Sequence, residues 1–83
     1  MLRHVHIFVQ LKDGVLDIQG KAVANSLVSL GHGSLGSAKV GKYIQLWIDA
    51  DSPADARKEA EKMCDDLLVN PIIEQYRIEV EGE

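Results

Sequence analysis

The segment from Leu11 to Leu27, LKDGVLDIQGKAVANSL, is the part of the chain that most constrains its fold. Gly14 places a turn after a run of alternating apolar and polar residues. Asp17 stands where a helix N-cap is expected, able to accept hydrogen bonds from free backbone N–H groups. Gly20 then falls in the first turn of that helix, where glycine costs about 1 kcal/mol relative to alanine. This cost indicates that another stretch of backbone approaches Gly20 closely, from the same fold or from a partner subunit.

The first half of the chain predicts a strand, a helix and two further extended runs. The strand is indicated by alternation at Val5, Ile7, Val9 and Leu11. The helix carries one apolar stripe and ends at Gly31; the stripe consists of Gly20, Val23, Ala24, Leu27 and Leu30. After a glycine-rich loop, Gly31 to Gly36, the extended runs cover Ser37–Val40 and Lys42–Ala50, with a hinge near Gly41.

The second half predicts a helix followed by a last strand. Ser52 is the expected N-cap and Pro53 the first helical residue. The helix stripe consists of Ala56, Ala60, Met63 and Leu67, with Cys64 and Leu68 beside it, and Asn70-Pro71 ends the helix. The resulting order, β-α-β-β-α-β, predicts a single α+β domain over residues 1–83, a two-layer sandwich of ferredoxin-like type with both helices on one face of a mostly antiparallel sheet.

The other face of this sheet predicts self-association. Three large aromatic side chains on it are poorly suited to water, and a chain of 83 residues has a small core of its own. The face is predicted to carry His4, His6, Phe8, Tyr43, Gln45 and Trp47. We therefore expect it to be a subunit interface.

Composition excludes several function classes. The net charge is −4, and the nine basic residues form no stripe among the aromatics, so nucleic-acid binding is not expected. No apolar run approaches about 20 residues, which argues against a membrane span. Cys64 is the only cysteine, so no intrachain disulfide can form, and a cytoplasmic location is expected.

The reactive residue types do not assemble into a recognisable site. His4 and His6 have the H-x-H spacing of some metal sites, but a third ligand is missing because His32 lies in the glycine-rich loop and Cys64 belongs to a core stripe. The glycine-rich loop leads into a strand, whereas a phosphate cradle leads into a helix. The opening of helix 1 near Lys21 could attract an anion, but Asp17 occupies the same donors. We expect no catalytic, cofactor-binding or metal-binding residue.

Three segments together resemble the PurS subunit of phosphoribosylformylglycinamidine synthase. They are LKDGVLDIQGKAV (Leu11–Val23), VGKYIQL (Val40–Leu46) and CDDLLVNPIIEQYRIEV (Cys64–Val80). The resemblance implies an accessory subunit, without catalytic residues, of an ATP-dependent glutamine amidotransferase in purine biosynthesis. It implies that a PurL partner uses ATP and Mg²⁺ to activate the substrate amide, that a PurQ partner releases ammonia from glutamine, and that this subunit bridges the two and assists ammonia transfer.

The resemblance also implies a homodimer, possibly a dimer of dimers, and a set of partner-contact or structural positions. These positions are Gly14, Asp17, Gln19, Gly20, Lys21, Gly41, Lys42, Tyr43, Asn70, Pro71, Ile73, Glu74 and Tyr76. Two departures stand out. Ile18 replaces a usual proline, which should loosen the helix entry slightly, and the loop GHGSLGSA is poorer in charged and bulky residues than expected.

Two other functions fit the predicted fold. A regulatory domain of the ACT type has the same element order and binds small effectors near the first turn and helix, here LKDGVLDIQG. A small dimeric enzyme with a pocket over the sheet would need an ionisable residue there, and only His4 and His6 are candidates.

Overall fold

The computed structural model describes residues 1–83 and contains a three-stranded antiparallel sheet with two helices. The strands are β1 (Leu2–Leu11), β2 (Lys42–Asp49) and β3 (Glu74–Val80), and the helices are α1 (Ile18–Ser29) and α2 (Pro53–Met63). β1 lies in the centre of the sheet, so that Ile7 is opposite Ile44 on one side and Ile78 on the other. The α+β class predicted from the sequence is confirmed.

Both helices begin where the sequence predicts. The Asp17 carboxylate accepts a hydrogen bond from the Gly20 N–H at 2.8 Å, and the Ser52 hydroxyl accepts one from the Asp55 N–H at 3.1 Å. Pro53 is the first residue of α2. Gly31 follows α1 with a φ of +107°, a backbone conformation that favours glycine.

The core lies between α2 and the inner face of the sheet. Alternate residues of β1 are almost fully buried, as the sequence predicts, and α2 packs small side chains against them; the core consists of Val5, Ile7, Val9, Ile48, Ala56, Ala60, Cys64, Val69, Ile78 and Val80. At its end α2 continues as a π-helical turn, Cys64–Leu68. The wider turn rotates the following side chains relative to an α-helix. Leu67 is therefore 84% exposed, although the helical stripe predicts that it is buried.

The predicted strand at Ser37–Val40 does not form, so the sheet has three strands where four are expected. The backbone of this segment contacts the start of α1 instead. The Val40 N–H donates to the Asp17 carboxylate at 2.9 Å, and the Ala38 carbonyl lies against Gly20. These groups are therefore not available for pairing with β2.

α1 does not pack on the sheet, which contradicts the prediction of two helices on one face. The helix contacts no other helix or strand, and of its residues only Gly20 is buried. The chain is elongated, about 50 × 25 × 15 Å, with a radius of gyration of 16.2 Å. A compact chain of this length would have a radius of about 12 Å. None of the helices has the length and apolar character that crossing a lipid bilayer would require.

Candidate functional site

The three segments that carry the family resemblance meet at one end of the sheet, and we call them the signature segments. They are Leu11–Val23, Val40–Leu46 and Cys64–Val80. β1 is antiparallel to both neighbours, so its last residue, Leu11, lies beside the first residues of β2 and β3. The turn that follows β1 therefore adjoins the segments that precede Lys42 and Glu74. We call this region the convergence end.

A cleft of about 380 Å³ opens at the convergence end. It is lined by the end of β1, the turn after it and the start of β2, with Gly14, Asp17, Gly41, Lys42 and Tyr43 among the lining residues. Gly14 has a φ of +85°, which favours glycine and produces the predicted turn. The structure thus brings five of the predicted positions together.

Asp17 joins α1 to the segment before β2. One carboxylate oxygen accepts from the Gly20 N–H and the other from the Val40 N–H, at 2.8 and 2.9 Å. The hydrogen bond from Gly20 is the main reason why the pKa of Asp17 is lowered, followed by that from Val40, with a smaller contribution from Lys39. Both oxygens are engaged with the protein's own backbone, so Asp17 serves as a clamp.

Two glycines allow backbone to approach backbone at this end. A Cβ atom on Gly20 would lie 2.4 Å from the Ala38 carbonyl oxygen, and one on Gly41 would lie 2.4 Å from the Val9 carbonyl oxygen. Both distances are far below van der Waals contact. The close approach predicted at Gly20 is therefore made by the same chain, and a partner subunit is not its cause.

Polar side chains tie the third signature segment to the other two. The Lys12 amino group donates to the Pro71 carbonyl at 2.6 Å, and the Lys42 amino group donates to the Leu68 carbonyl at 3.2 Å and lies 3.5 Å from Glu74. The Glu74 carboxylate also accepts from the Asn70 N–H at 2.7 Å. Lys12 has the same kind of contact as the predicted positions, yet the sequence did not single it out because its partner is distant in the chain.

Gln19 and Lys21 stand apart from this group. Both are exposed on α1 and neither lines the cleft. They share the signature segment with Asp17 and Gly20 but not the same surroundings.

The predicted self-association face forms a network of rings and polar groups. His4 stacks on Trp47 with ring centroids 4.5 Å apart, and Tyr43 stacks on Phe8 at 5.0 Å. The guanidinium of Arg77 lies 4.6 Å from the centre of the Phe8 ring. Trp47 and Tyr43 remain 59% and 52% exposed, so much aromatic surface is uncovered in the single chain.

The thiol of Cys64 is the strongest nucleophile type in the chain, and it is fully buried. Burial raises its pKa, and the nearby carboxylates of Asp65 and Glu61 add to the effect. A buried thiol with a raised pKa is poorly reactive.

The arrangement at the convergence end positions backbone segments, and its polar side chains contact backbone groups of the same chain.

Comparison with known proteins agrees with the resemblance found in the sequence. The family described as PurS, phosphoribosylformylglycinamidine (FGAM) synthase, matches residues 4–82. The PurS subunit of Bacillus subtilis is 42% identical over 77 residues, covering 93% of this chain and 90% of the relative. The PurS subunit of Synechocystis is 40% identical over 77 residues, covering 93% of this chain and 77% of the relative.

Solved structures share the same fold. The crystal structure of PurS from Methanocaldococcus jannaschii superposes with a TM-score of 0.88 at 31% identity, covering 98% of each chain. A chain in the structure of PurLQS from Thermotoga maritima gives a TM-score of 0.88 at 29% identity, covering 96% of this chain and 98% of the other. The chain therefore belongs to the PurS family, the PurS subunit of phosphoribosylformylglycinamidine synthase in purine biosynthesis.

Proposed function

We propose that this chain is the non-catalytic subunit that bridges the PurL synthetase and the PurQ glutaminase and assists the passage of ammonia between them. The observation that carries the proposal is the match, over 96% of the chain, to a chain of the Thermotoga PurLQS structure. In this reading PurL uses ATP and Mg²⁺, PurQ supplies ammonia, and the present chain sets their relative position.

The contacts at the convergence end support a positioning role. The carboxylate of Asp17 and the amino groups of Lys12 and Lys42 bind backbone groups of three separate segments. Side chains engaged in this way hold a surface in one shape and are not free to act on a substrate. Large apolar side chains are exposed in the two turns at this end, among them Leu16 at 68% and Ile72 at 81%. We take this surface to contact the rest of the complex.

Reconstitution with PurL and PurQ of the same organism tests the bridging role. Glutamine-dependent synthesis should require this chain, whereas synthesis from added ammonia should need it little, because ammonia then reaches PurL from solution. Leu16→Glu should reduce the glutamine-dependent rate. Leu2→Glu is the matched control, because Leu2 is 65% exposed at the opposite end of β1. Unchanged rates when the chain is omitted would contradict the role itself; equal effects of the two variants would contradict only the choice of surface.

We also propose that the chain is a homodimer in which each copy covers the α1 helix of the other. α1 leaves Val23 at 43% and Val28 at 48% exposed, and a free helix of 12 residues is marginal in water. The inner face of the sheet is covered by α2 alone, and Tyr76 and Met63 on that side remain 37% and 38% exposed. In the proposed dimer, the exposed apolar face of α1 packs on the uncovered part of the inner sheet face of the partner copy. When each copy does this for the other, the two-layer, ferredoxin-like arrangement is completed about a two-fold axis.

The outer face of the sheet is then available for a second association, giving a dimer of dimers. Light scattering after size exclusion separates the two surfaces. Val23→Glu should yield monomer, with Asn25→Glu on the polar side of α1 as control, whereas Trp47→Glu should stop association at the dimer. The α1 interface would be contradicted if Val23→Glu kept the mass of the parent. If the parent is a tetramer, the outer-face interface would be contradicted by a Trp47→Glu variant that is also a tetramer.

A regulatory domain of the ACT type remains the second candidate, because the cleft lies at LKDGVLDIQG. Its volume of about 380 Å³ is within the range of small-molecule sites. Calorimetric titration with amino acids and nucleotides distinguishes the candidates. A saturable isotherm with one of these compounds would favour effector binding over bridging alone.

A further inference from the structure

His4, His6 and Glu81 form a cluster on the outer face of the sheet, and the bridging role proposed above does not use it. The histidines are two residues apart on β1, and Glu81 follows the end of β3 directly. His4 Nδ1 and His6 Nε2 both contact the same carboxylate oxygen, Glu81 Oε2, with the His6 distance at 2.8 Å. All three potential ligand atoms lie within 4.8 Å of one another.

The remaining ring nitrogens are oriented by hydrogen bonds on the β2 side. His4 Nε2 lies 2.7 Å from the amide oxygen of Gln45, which can only accept, so Nε2 carries the proton. In a neutral ring this leaves a lone pair on Nδ1, directed at Glu81. His6 Nδ1 contacts the Tyr43 hydroxyl, whose oxygen can accept a hydrogen bond from an Nδ1–H group, and in that tautomer the Nε2 lone pair faces the same carboxylate. Metal-binding histidines typically donate their other N–H in this way.

Lone pairs directed at a carboxylate repel it unless a positive charge lies between them. That charge is either a proton on the imidazole or a metal ion. The side chains of His4 and His6 are only 24% and 20% exposed, and the stacked Trp47 ring holds His4 in place. The donors are therefore preoriented, which favours an ion that uses all three at once.

We propose that His4, His6 and Glu81 bind a divalent transition-metal ion of the Zn²⁺ type, with a fourth position open to solvent. Two imidazole nitrogens and one carboxylate oxygen are a common zinc ligand set, whereas Mg²⁺ and Ca²⁺ prefer oxygen donors. Glu81 is the third ligand that the H-x-H pattern lacks in the sequence. It lies 75 residues from His6 and reaches the cluster through the β1–β3 register.

Zinc titration of the metal-free full-length protein tests the site, with calorimetry and the fluorescence of Trp47 as readouts. Trp47 is the only tryptophan and stacks on His4, so it reports on that ring. The titration uses a mildly alkaline buffer, because a histidine binds a metal ion only through its neutral ring. We expect saturable zinc binding, no response to Mg²⁺, and a loss of at least about tenfold in affinity in His4→Ala, His6→Ala and Glu81→Gln.

Two further variants keep the result interpretable. His32→Ala removes the third histidine, which is exposed in the glycine-rich loop, and should leave zinc binding unchanged. Gln45→Ala removes no ligand but should weaken binding about 10- to 100-fold, because it frees the His4 ring. Circular dichroism confirms that each variant folds. Absence of saturable zinc binding in the parent, a fluorescence change with protons only, or equal binding by the parent and the three ligand variants would each overturn the proposal.

Discussion

Replacing Gly20 by alanine should destabilise the protein, although glycine-to-alanine changes inside helices usually stabilise. The new Cβ atom would lie 2.4 Å from the Ala38 carbonyl oxygen and 2.5 Å from an Asp17 carboxylate oxygen. The carboxylate can rotate, but only by weakening its hydrogen bonds to the Gly20 and Val40 N–H groups. The carbonyl belongs to the backbone and can move only with the whole segment that precedes β2.

The expected magnitude follows from two opposing contributions. Better helix propensity stabilises the variant by about 1 kcal/mol. Overpacking costs about 1 to 3 kcal/mol, and a rigid backbone obstacle places this case at the upper end, about 3 kcal/mol. The net loss is about 2 kcal/mol. In a domain of 60–100 residues this corresponds to a decrease in Tm of about 8 to 16 °C.

Urea and thermal unfolding at one fixed protomer concentration measure this change, since association alters apparent stability. Gly33→Ala is the matched control: its Cβ would have no atom within 4 Å and its φ is not positive, so we expect a change of less than about 1 kcal/mol. If Gly20→Ala were instead more stable than the parent by about 1 kcal/mol, the contact between α1 and the Ala38 segment would be wrong.

Three further results are expected. Ile7→Ala should lower the free energy of unfolding by about 2 to 5 kcal/mol in urea titrations, because Ile7 is fully buried at the centre of the sheet; a loss below about 1 kcal/mol would contradict the core assignment. Asp17→Asn should make the free energy of unfolding depend less on pH in the acid range. The lowered pKa means that the ionised carboxylate stabilises the fold fully above its unfolded pKa of about 3.9, and that this stabilisation is lost as pH falls through the folded pKa, so parent and variant should converge in acid. Cys64 should react with a thiol reagent much more slowly in the native protein than in urea, because burial raises its pKa and blocks access; equal rates would show that the α2 packing opens freely.

The local elements could be predicted because their causes are local. Asp17, Ser52 and Pro53 define helix starts within four residues of sequence, and both caps form as expected. Alternation in β1 correctly predicts which side chains are buried, since successive residues of a strand point to opposite faces.

The errors arise where distant groups compete for the same backbone. Four residues, Ser37–Val40, have the pattern of a short strand, but the Val40 N–H is bound by Asp17, 23 residues away. No periodicity in either segment indicates that contact. The approach of Glu81 to His4 is missed for the same reason, because it depends on the register of β3 against β1.

The prediction for α1 fails in a different way, and the failure bears on function. Its apolar stripe predicts a buried face, yet of the helix only Gly20 is buried in this chain, and periodicity does not specify what a stripe packs against. Only 11 of the 83 residues are buried in the isolated chain, and α1 packs against no other helix or strand. The two hydrogen bonds that Asp17 accepts, from Gly20 and Val40, nevertheless fix the start of α1 against the segment that precedes β2. A helix that is held at its start and left uncovered along its length is suited to packing against another chain, which is the basis of the α1 interface proposed above.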